Sequence, residues 1–378
     1  MIQSITIKNF KSFREAKLPL APLTLLIGAN ASGKSNAIEA MQLLSWLVSG
    51  RRLGDLLVAI RDQELSLRGT FNDLTYGGDE FSLGCDLLPP LSFSITLQVN
   101  EAGLRILEER LESPEAEHEP SQPAAASRLR QSLEDILFLD PHPRRMRDYS
   151  FLQDQKLQGD GAALSSVLYR LSEEGKKEEI LGFIRSLPEQ DIRDVTFLEG
   201  PRGEVMVQLH ETFGGKATAR EAALLSDGTL RVLAVAAALL SVPEGSLVVI
   251  EEIDNGVHPS RAELLLGNVQ RIARQRQLRV LLTTHNPALL DAIPAEAVPD
   301  TVACYRDPEE GDSRLVRLED LQSYPELVAQ GSVGRLVTKG ILDRFLKVDE
   351  RRSRKEKVDQ GLAWISEFRR RASSRHAR

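Results

Sequence analysis

The stretch PLTLLIGANASGKS at residues 22–35 decides the fold. Its first half, residues 22–27, is a nearly continuous apolar run, which is typical of a strand buried on both faces of a sheet. Its second half fits the pattern GxxxxGK[ST] in full, from Gly28 to Ser35. Residues 35–48 then carry apolar side chains at approximately helical spacing. This order of strand, glycine-rich loop and helix is the context in which the pattern forms a phosphate-binding loop.

The residues of this phosphate loop (residues 28–35) suit the binding of a nucleotide. Gly28 and Gly33 let the backbone turn tightly, so that successive N–H groups and the helix N-terminus face phosphate oxygens. We expect Lys34 to reach the β- and γ-phosphates and Ser35 to ligate Mg²⁺. The alternative is a glycine turn that begins a helix. The predicted nucleotide-binding residues are Asn30, Ala31, Ser32, Gly33, Lys34, Ser35 and Asn36.

Two carboxylates follow a second buried strand. The segment SLVVIEE places Glu251 and Glu252 at the carboxyl end of that strand, where open α/β sheets bind their ligands. We assign Glu251 to the Mg²⁺ side and Glu252 to polarisation of the attacking water as general base. A solvated acidic turn is the alternative. Asp254 either lies at the nucleotide interface or caps the next helix, and His258 is expected in the turn.

A second anion site is indicated by LSDGT, the signature segment, from Leu225 to Thr229. It precedes an apolar helix, so Ser226 and the backbone of Gly228 are expected to be exposed at a helix N-terminus. One nucleotide needs one phosphate loop, so a second phosphate-binding helix end favours a nucleotide held between two copies of the chain. An ordinary N-cap is the alternative. His285 ends the strand RVLLTTH, where it could sense the γ-phosphate or simply cap the strand.

Composition narrows the class of protein. The formal charge of −7 and the 42% apolar content indicate a globular chain without the overall basic excess of a nucleic-acid binder. The two cysteines, Cys85 and Cys304, lack metal-binding spacing and are expected to be buried thiols. No apolar stretch approaches the roughly 18 residues of a membrane span, and the N-terminus alternates like a strand, so we expect a cytoplasmic protein.

The pattern of elements divides the chain into four segments. Residues 1–108 hold the phosphate loop and an antiparallel β flap, and residues 109–192 form a helical insertion with a flexible loop at 111–127. Residues 193–318 hold the signature segment, the carboxylates and the histidine. Residues 319–378 are a helical region with a basic tail, whose last 28 residues have ten Lys or Arg against three Asp or Glu. That tail could contact nucleic acid or an acidic partner, or be solvated.

Taken in chain order, four segments resemble the motifs of ABC-class ATPases. GANASGKSN, LLSDGT, LVVIEEIDNGVHP and TTHNP are similar to Walker A, the signature, Walker B with the D-loop, and the switch histidine. The opening ITIKNFKSF resembles the strand and turn that frame the adenine in SMC-like and RecF-like ATPases. The sequence is most similar to AAA-type ATPases related to the OLD (overcoming lysogenization defect) family, which are often found in bacterial anti-phage and abortive-infection systems.

The resemblance implies an α/β P-loop NTPase fold of ABC-ATPase type, with a mostly parallel central sheet, an antiparallel β flap and a helical insertion. It implies Mg²⁺-dependent ATP hydrolysis, with Glu252 and His285 as catalytic residues and with Ser226 and Gly228 reaching the γ-phosphate of a second copy. The partners implied are a homodimer or higher oligomer and a separately encoded effector. DNA or RNA binding stays open, and no membrane is involved.

The sequence departs from the family pattern in three places. Glu251 stands where Asp is usual, Gln63 is only a weak candidate for the Q-loop, and no suitable acidic cluster follows His285, so no Toprim nuclease domain is expected. Three functions are weighed: an ATPase switch in phage defence, a DNA-repair or chromosome-maintenance ATPase, and a transporter subunit. The long separation of Ser35 from LSDGT, and that sequence in place of LSGGQ, disfavour the transporter.

Overall fold

Three β-sheets and the helices that cover them make up the computed structural model. It describes residues 1–62, 65–100, 103–113, 122–185, 191–213, 216–254 and 261–348. Gln63, His258 and the basic tail at 351–378 lie outside the described residues.

The central sheet has six strands in the order β15-β14-β3-β13-β12-β7. All neighbouring pairs are parallel except β14 with β15, which confirms the predicted mostly parallel sheet. The four inner strands are covered on both faces and consist largely of buried apolar residues, whereas most residues of the edge strands β7 and β15 are partly buried. The strands are β3 (Leu23–Ile27), β7 (Leu137–Leu139), β12 (Leu247–Ile250), β13 (Arg279–Thr283), β14 (Val302–Arg306) and β15 (Ser313–Arg317).

The predicted β flap is a five-stranded antiparallel sheet in the order β2-β1-β4-β5-β6. In β5 buried and partly buried residues alternate over LSFSITLQV, so one face of the strand packs on the core. Phe10 and Phe81 pack across the sheet, with ring centroids 5.4 Å apart. The strands are β1 (Ile2–Phe10), β2 (Phe13–Pro19), β4 (Glu80–Leu87), β5 (Leu91–Asn100) and β6 (Gly103–Glu112).

A third sheet is built around β10, which pairs antiparallel with β8, β9 and β11. The predicted strands VTFLEG and EVMVQLHE form the β9–β10 hairpin. Its strands are β8 (Ser150–Phe151), β9 (Ile192–Gly200), β10 (Glu204–Phe213) and β11 (Lys216–Glu221).

Helices cover the two faces of the central sheet and form two separate apolar cores. One core holds α5, α6, α7 and α8 against one face, while the other holds α1, α3 and the flap against the opposite face. Adjacent residues of β3 divide between them: Leu25 lies in the first core and Leu26 in the second. The longer helices are α1 (Lys34–Val48), α3 (Gln122–Glu134), α5 (Leu164–Glu173), α6 (Lys177–Ile184), α7 (Asp227–Ser241) and α8 (Ala262–Gln275); the short ones are α2 (Leu56–Arg61), α4 (Pro143–Met146), α9 (Pro287–Asp291), α10 (Tyr324–Val328) and α11 (Val333–Thr338).

The region predicted as a helical insertion differs from expectation in two ways. Part of the loop predicted at 111–127 is regular structure, because β6 runs to Glu112 and α3 begins at Gln122; residues 114–121 of that prediction lie outside the described residues. Three consecutive alanines at 124–126 are strong helix formers, and Pro123 is tolerated in a first turn. The insertion also contributes β7, an edge strand of the central sheet. No helix in the described ranges is long and apolar enough to span a membrane.

Candidate nucleotide site

Three of the four predicted motifs meet at one edge of the central sheet. Ile250 lies beside Leu282, and Leu282 beside Leu25, so the parallel strands β12, β13 and β3 end together. The phosphate loop, the two glutamates and His285 follow these strand ends directly. The carboxyl edge of a parallel sheet is where such folds bind ligands, and here it holds three of the four motifs.

The two invariant positions of the loop pattern require glycine for geometric reasons. Gly28 and Gly33 have φ values of 153° and 120°, which side chains rarely adopt. A Cβ atom on Gly28 would lie 2.1 Å from the carbonyl oxygen of Cys304, and one on Gly33 would lie 2.5 Å from the hydroxyl of Ser313. The loop is therefore pressed closely against β14 and β15.

A hydroxyl network supports the loop from beneath. The Ser313 hydroxyl lies 2.6 Å from the carbonyl oxygen of Ser32 and 2.8 Å from the hydroxyl of Ser12. The Cys304 thiol also donates to the Ser32 carbonyl, at 3.4 Å. Asn36 donates its side-chain amide to the Ser12 hydroxyl at 2.7 Å, so it joins this network. These contacts connect the loop to the turn between β1 and β2.

Lys34 is folded back into the loop that it closes. Its Nζ donates to the carbonyl oxygens of Gly28 and Ala29, at 2.7 and 2.9 Å. Burial lowers the pKa of the Lys34 ammonium, while Cys304 and Glu252 act in the opposite direction. The Ser32 hydroxyl is buried without a hydrogen-bond partner among the described residues. A buried cation and an unpaired hydroxyl suit a phosphate group, which accepts from both.

The two glutamates occupy different environments. Glu251 is half-buried, and burial, followed by the charge of Asp140, raises the pKa of its carboxyl group to about 7. Glu252 is exposed, has a left-handed φ of 47°, and donates its backbone N–H to the Thr283 hydroxyl at 3.0 Å. Asp140 follows β7, the strand that the sequence did not reveal. Its proximity to Glu251 therefore could not be predicted.

A buried glutamate on α1, which sequence reasoning did not identify, also lies near the site. Glu39 is buried one turn beyond Ser35 and forms ion pairs with Lys11 and with Arg68, whose Nε lies 3.1 Å away. Arg68 also lowers the pKa of Glu251 and Glu39 raises it, both by their charge. A glutamate within the apolar pattern of α1 is the signal that could have revealed this network.

The signature segment lies on a different part of the fold. Ser226 is the exposed N-cap of α7, as predicted, and its hydroxyl accepts from the backbone N–H of Thr229 at 3.1 Å. Gly228 is buried, so the prediction that it is exposed is wrong: it lies inside the first turn of a helix that packs in the core. Helix α7 packs in one core and α1, the helix of the phosphate loop, in the other. The phosphate loop and the signature segment therefore precede helices on opposite faces of the sheet.

The remaining predicted residues flank the carboxyl edge. His285 is exposed after β13, and Asn286 caps α9 by accepting from the backbone N–H of Ala288 at 3.0 Å. Asp254 is half-buried, with one carboxylate oxygen lacking a partner in the part of the chain that is described. Both cysteines are buried free thiols, as predicted.

The residues at this edge fit Mg²⁺ better than a transition metal. Within the described ranges, no group of three or more His, Cys, Asp or Glu side chains could hold a metal ion by itself. Mg²⁺ in phosphate-loop sites needs no such cage, because waters and phosphates complete its shell. The Ser35 hydroxyl and the Glu251 carboxylate are hard oxygen donors of the kind that this ion prefers, and these two residues would hold it.

The sheet, the phosphate loop and the carboxylates together define a P-loop ATPase of the AAA/ABC class. The chain belongs to the family described as "AAA domain, putative AbiEii toxin, Type IV TA system", whose model matches residues 23–291.

Curated relatives agree with this class. An ATP/GTP phosphatase of Helicobacter pylori is 23% identical over 334 residues, which covers 78% of this chain and 87% of the relative. A DNA replication and repair protein RecF of Cyanothece is 36% identical over 100 residues, or 26% of this chain. The chain spans 23% of the length of that RecF.

Solved structures of SMC heads share the fold. A crystal structure of an Smc head bound to the C-terminal winged-helix domain of ScpA has a TM-score of 0.54 at 13% identity, covering 83% of this chain and 97% of that one. A Pyrococcus furiosus Smc head with an extended coiled coil has a TM-score of 0.50 at 14% identity, covering 87% and 99%. These similarities extend the ABC-type fold over most of the chain.

Proposed function

We propose that this protein is an ATP-dependent switch that acts as a dimer. Two copies would enclose ATP between the phosphate loop of one and the signature segment of the other, hydrolyse it to ADP and phosphate, and separate again. The cycle would control a separately encoded effector, a nuclease or toxin, in bacterial anti-phage defence. The family description, which names a toxin and a toxin–antitoxin system, supports this role, as does the OLD-like resemblance of the motifs.

One observation carries the dimer proposal. The phosphate loop precedes α1 on one face of the central sheet, whereas the signature segment begins α7 on the other. The hydrogen bonds described for Ser226 stay within its own helix cap. A chain with two phosphate-binding helix ends on opposite faces can use both on one nucleotide if a second copy supplies one of them.

The chain's own residues suggest how hydrolysis proceeds. The backbone amides of the loop and Lys34 would hold the phosphates, after Lys34 exchanges its two carbonyl acceptors for phosphate oxygens. Ser35 and Glu251 would hold Mg²⁺, which when bound offsets phosphate charge. Glu252, which is exposed, would accept the proton of the attacking water, with His285 beside the γ-phosphate. Ser226 and Gly228 of the second copy would complete the site.

We also propose a domain organisation for the chain. Residues 1–108 and 193–318 would form most of the ATPase core, and residues 109–192 an insertion that adds the edge strand β7 to its central sheet. Residues 319–378 would form a helical end with the basic tail. We expect the protein to work in the cytoplasm, where ATP is available.

The test compares two variants of the nucleotide site. Glu252→Gln keeps the shape of the side chain but removes the base, so it should bind ATP, accumulate as a dimer and turn over slowly. Lys34→Ala should lose ATP binding and stay monomeric. Lys17→Ala, which changes an exposed ion pair with Asp86 on the flap, is the control. Light scattering with and without ATP measures dimer formation, and phosphate release measures hydrolysis. Normal hydrolysis by Glu252→Gln would contradict the assignment of Glu252 as the general base.

A second function has specific support: an SMC-like or RecF-like ATPase that binds DNA in repair or chromosome maintenance. The RecF identity and the SMC-head fold favour it, and the basic tail would supply phosphate contacts. Salt-titrated DNA binding of the full chain and of a chain truncated after residue 350 tests this function. Tail-dependent binding that weakens with salt and stimulates hydrolysis supports it, whereas equal weak binding by both chains contradicts it.

A further inference from the structure

One arginine outside every predicted motif holds the signature segment. Arg147 follows α4 and donates to the carbonyl oxygen of Leu225 at 2.7 Å and to that of Ala223 at 3.3 Å. The same guanidinium forms an ion pair with Asp227, the first residue of α7. A single side chain thus contacts the turn before the helix and the first residue of the helix. Guanidinium is suited to this task because its donors lie in a fixed plane.

The segment that carries Arg147 is anchored on both sides. Met146, the residue before it, is buried in the core that contains α7. Ser150, three residues after it, is buried and pairs with Val205 of the third sheet. The backbone around Arg147 is therefore fixed relative to α7, and its side chain reaches the signature segment from the insertion.

The ion pair with Asp227 has an electrostatic consequence for the helix end. A carboxylate in the first turn of α7 would repel any phosphate that approaches Ser226 and Gly228. Pairing with Arg147 offsets that negative charge, and 29% of the Arg147 side chain remains exposed. The signature segment can then present a helix N-terminus of favourable charge to an anion.

We propose that Arg147 is a positioning residue that sets the signature segment to receive the γ-phosphate of a nucleotide bound to a second copy of the chain. This inference rests on the proposed dimer. Arg147 of one chain would act on the nucleotide bound by its partner. It would have no role in binding the nucleotide held by the phosphate loop of its own chain.

The first experiment separates binding from turnover. Arg147→Ala should bind a fluorescent ATP analogue as the unmodified chain does, but hydrolyse ATP about tenfold to a hundredfold more slowly, since a charge-assisted contact is lost. Arg147→Lys, which keeps the charge without the fork, should recover part of the rate. Arg145→Ala, which removes an exposed ion pair with Asp160 nearby, should hydrolyse normally. Loss of analogue binding in a folded Arg147→Ala chain would overturn the proposal.

The second experiment tests the direction by mixing chains. In a mixed dimer of Arg147→Ala with Glu252→Gln, one site combines the intact phosphate loop and Glu252 of the first chain with the intact signature segment of the second. Hydrolysis should therefore rise when Glu252→Gln is added to Arg147→Ala. When the chain added to Arg147→Ala carries both substitutions, hydrolysis should not rise, because neither site of the mixed dimer is then complete.

A second mixture of variants shows whether a failure lies in the role of Arg147 or in the shared nucleotide site itself. Ser226→Ala mixed with Glu252→Gln should also recover hydrolysis if the site is shared between two chains. Recovery with Ser226→Ala but none with Arg147→Ala overturns the role of Arg147 and leaves the dimer intact. Recovery with neither variant means that the shared site itself is wrong.

Discussion

The backbone N–H of Glu252 donates to the side-chain hydroxyl of Thr283, with an N···O distance of 3.0 Å. This bond links the second residue after β12 to the last residue of β13. Glu252 has a φ of 47°, a conformation that costs a non-glycine residue of order 1–2 kcal/mol. The buried Thr283 hydroxyl helps to hold that turn.

The hydrogen bond predicts a role for Thr283 in turnover. Thr283→Val keeps the shape but leaves the amide without its acceptor, so we expect kcat to fall by about tenfold or more through misplacement of Glu252, with ATP binding retained. Thr283→Ser should keep most of the rate. Thr24→Val is the matched control, because the buried Thr24 hydroxyl accepts from the N–H of Ala21 at 2.9 Å, at the opposite end of the sheet. An equal fall in kcat for both valine variants would contradict the prediction.

Substitutions of two glycines, one in the phosphate loop and one in α8, are expected to have opposite effects on stability. Gly33→Ala forces a side chain into a φ of 120° and against Ser313, so we expect loss of ATP binding and about 2–4 kcal/mol of destabilisation. Gly267, inside α8, has nothing within 4 Å of an added Cβ. Gly267→Ala should therefore stabilise the chain by about 0.5–1 kcal/mol, because alanine favours helix. Denaturant unfolding and ATP titration of both variants measure this, and a neutral Gly33→Ala would contradict it.

The carboxylates at the sheet edge predict a pH-dependent stability in the absence of nucleotide. The pKa of Glu251 is raised from 4.5 to about 7, so the folded state holds a proton that the unfolded state releases. Stability should therefore fall as pH rises from about 4.5 to 7, and Glu251→Gln should be more stable than the unmodified chain by about 1–3 kcal/mol at pH 8. The difference should vanish near pH 4. Thermal unfolding across this range measures it; a constant difference would show that charge is not the cause.

The sequence alone predicted the parallel sheet and the flap because their signals are local. A run such as LVVI or the alternation in LSFSITLQV reflects how many faces of a strand are buried, and this is encoded within a few residues. The strands β2 and β7 were not predicted, because three of the seven residues of FREAKLP are charged and LFL is too short to show a period. A short edge strand such as β7 is specified by its neighbour β12 rather than by its own pattern.

The sequence by itself determined the phosphate loop, with its glycines, Lys34 and Ser35, because that chemistry requires particular residue types at fixed spacing on one continuous segment. Only the tertiary structure brought Asp140 to Glu251, Thr283 to Glu252 and Arg147 to the signature segment. These pairs lie 31 to 111 residues apart in the sequence. They meet because long-range strand pairing and helix packing set which segments become neighbours, and no local pattern records that choice.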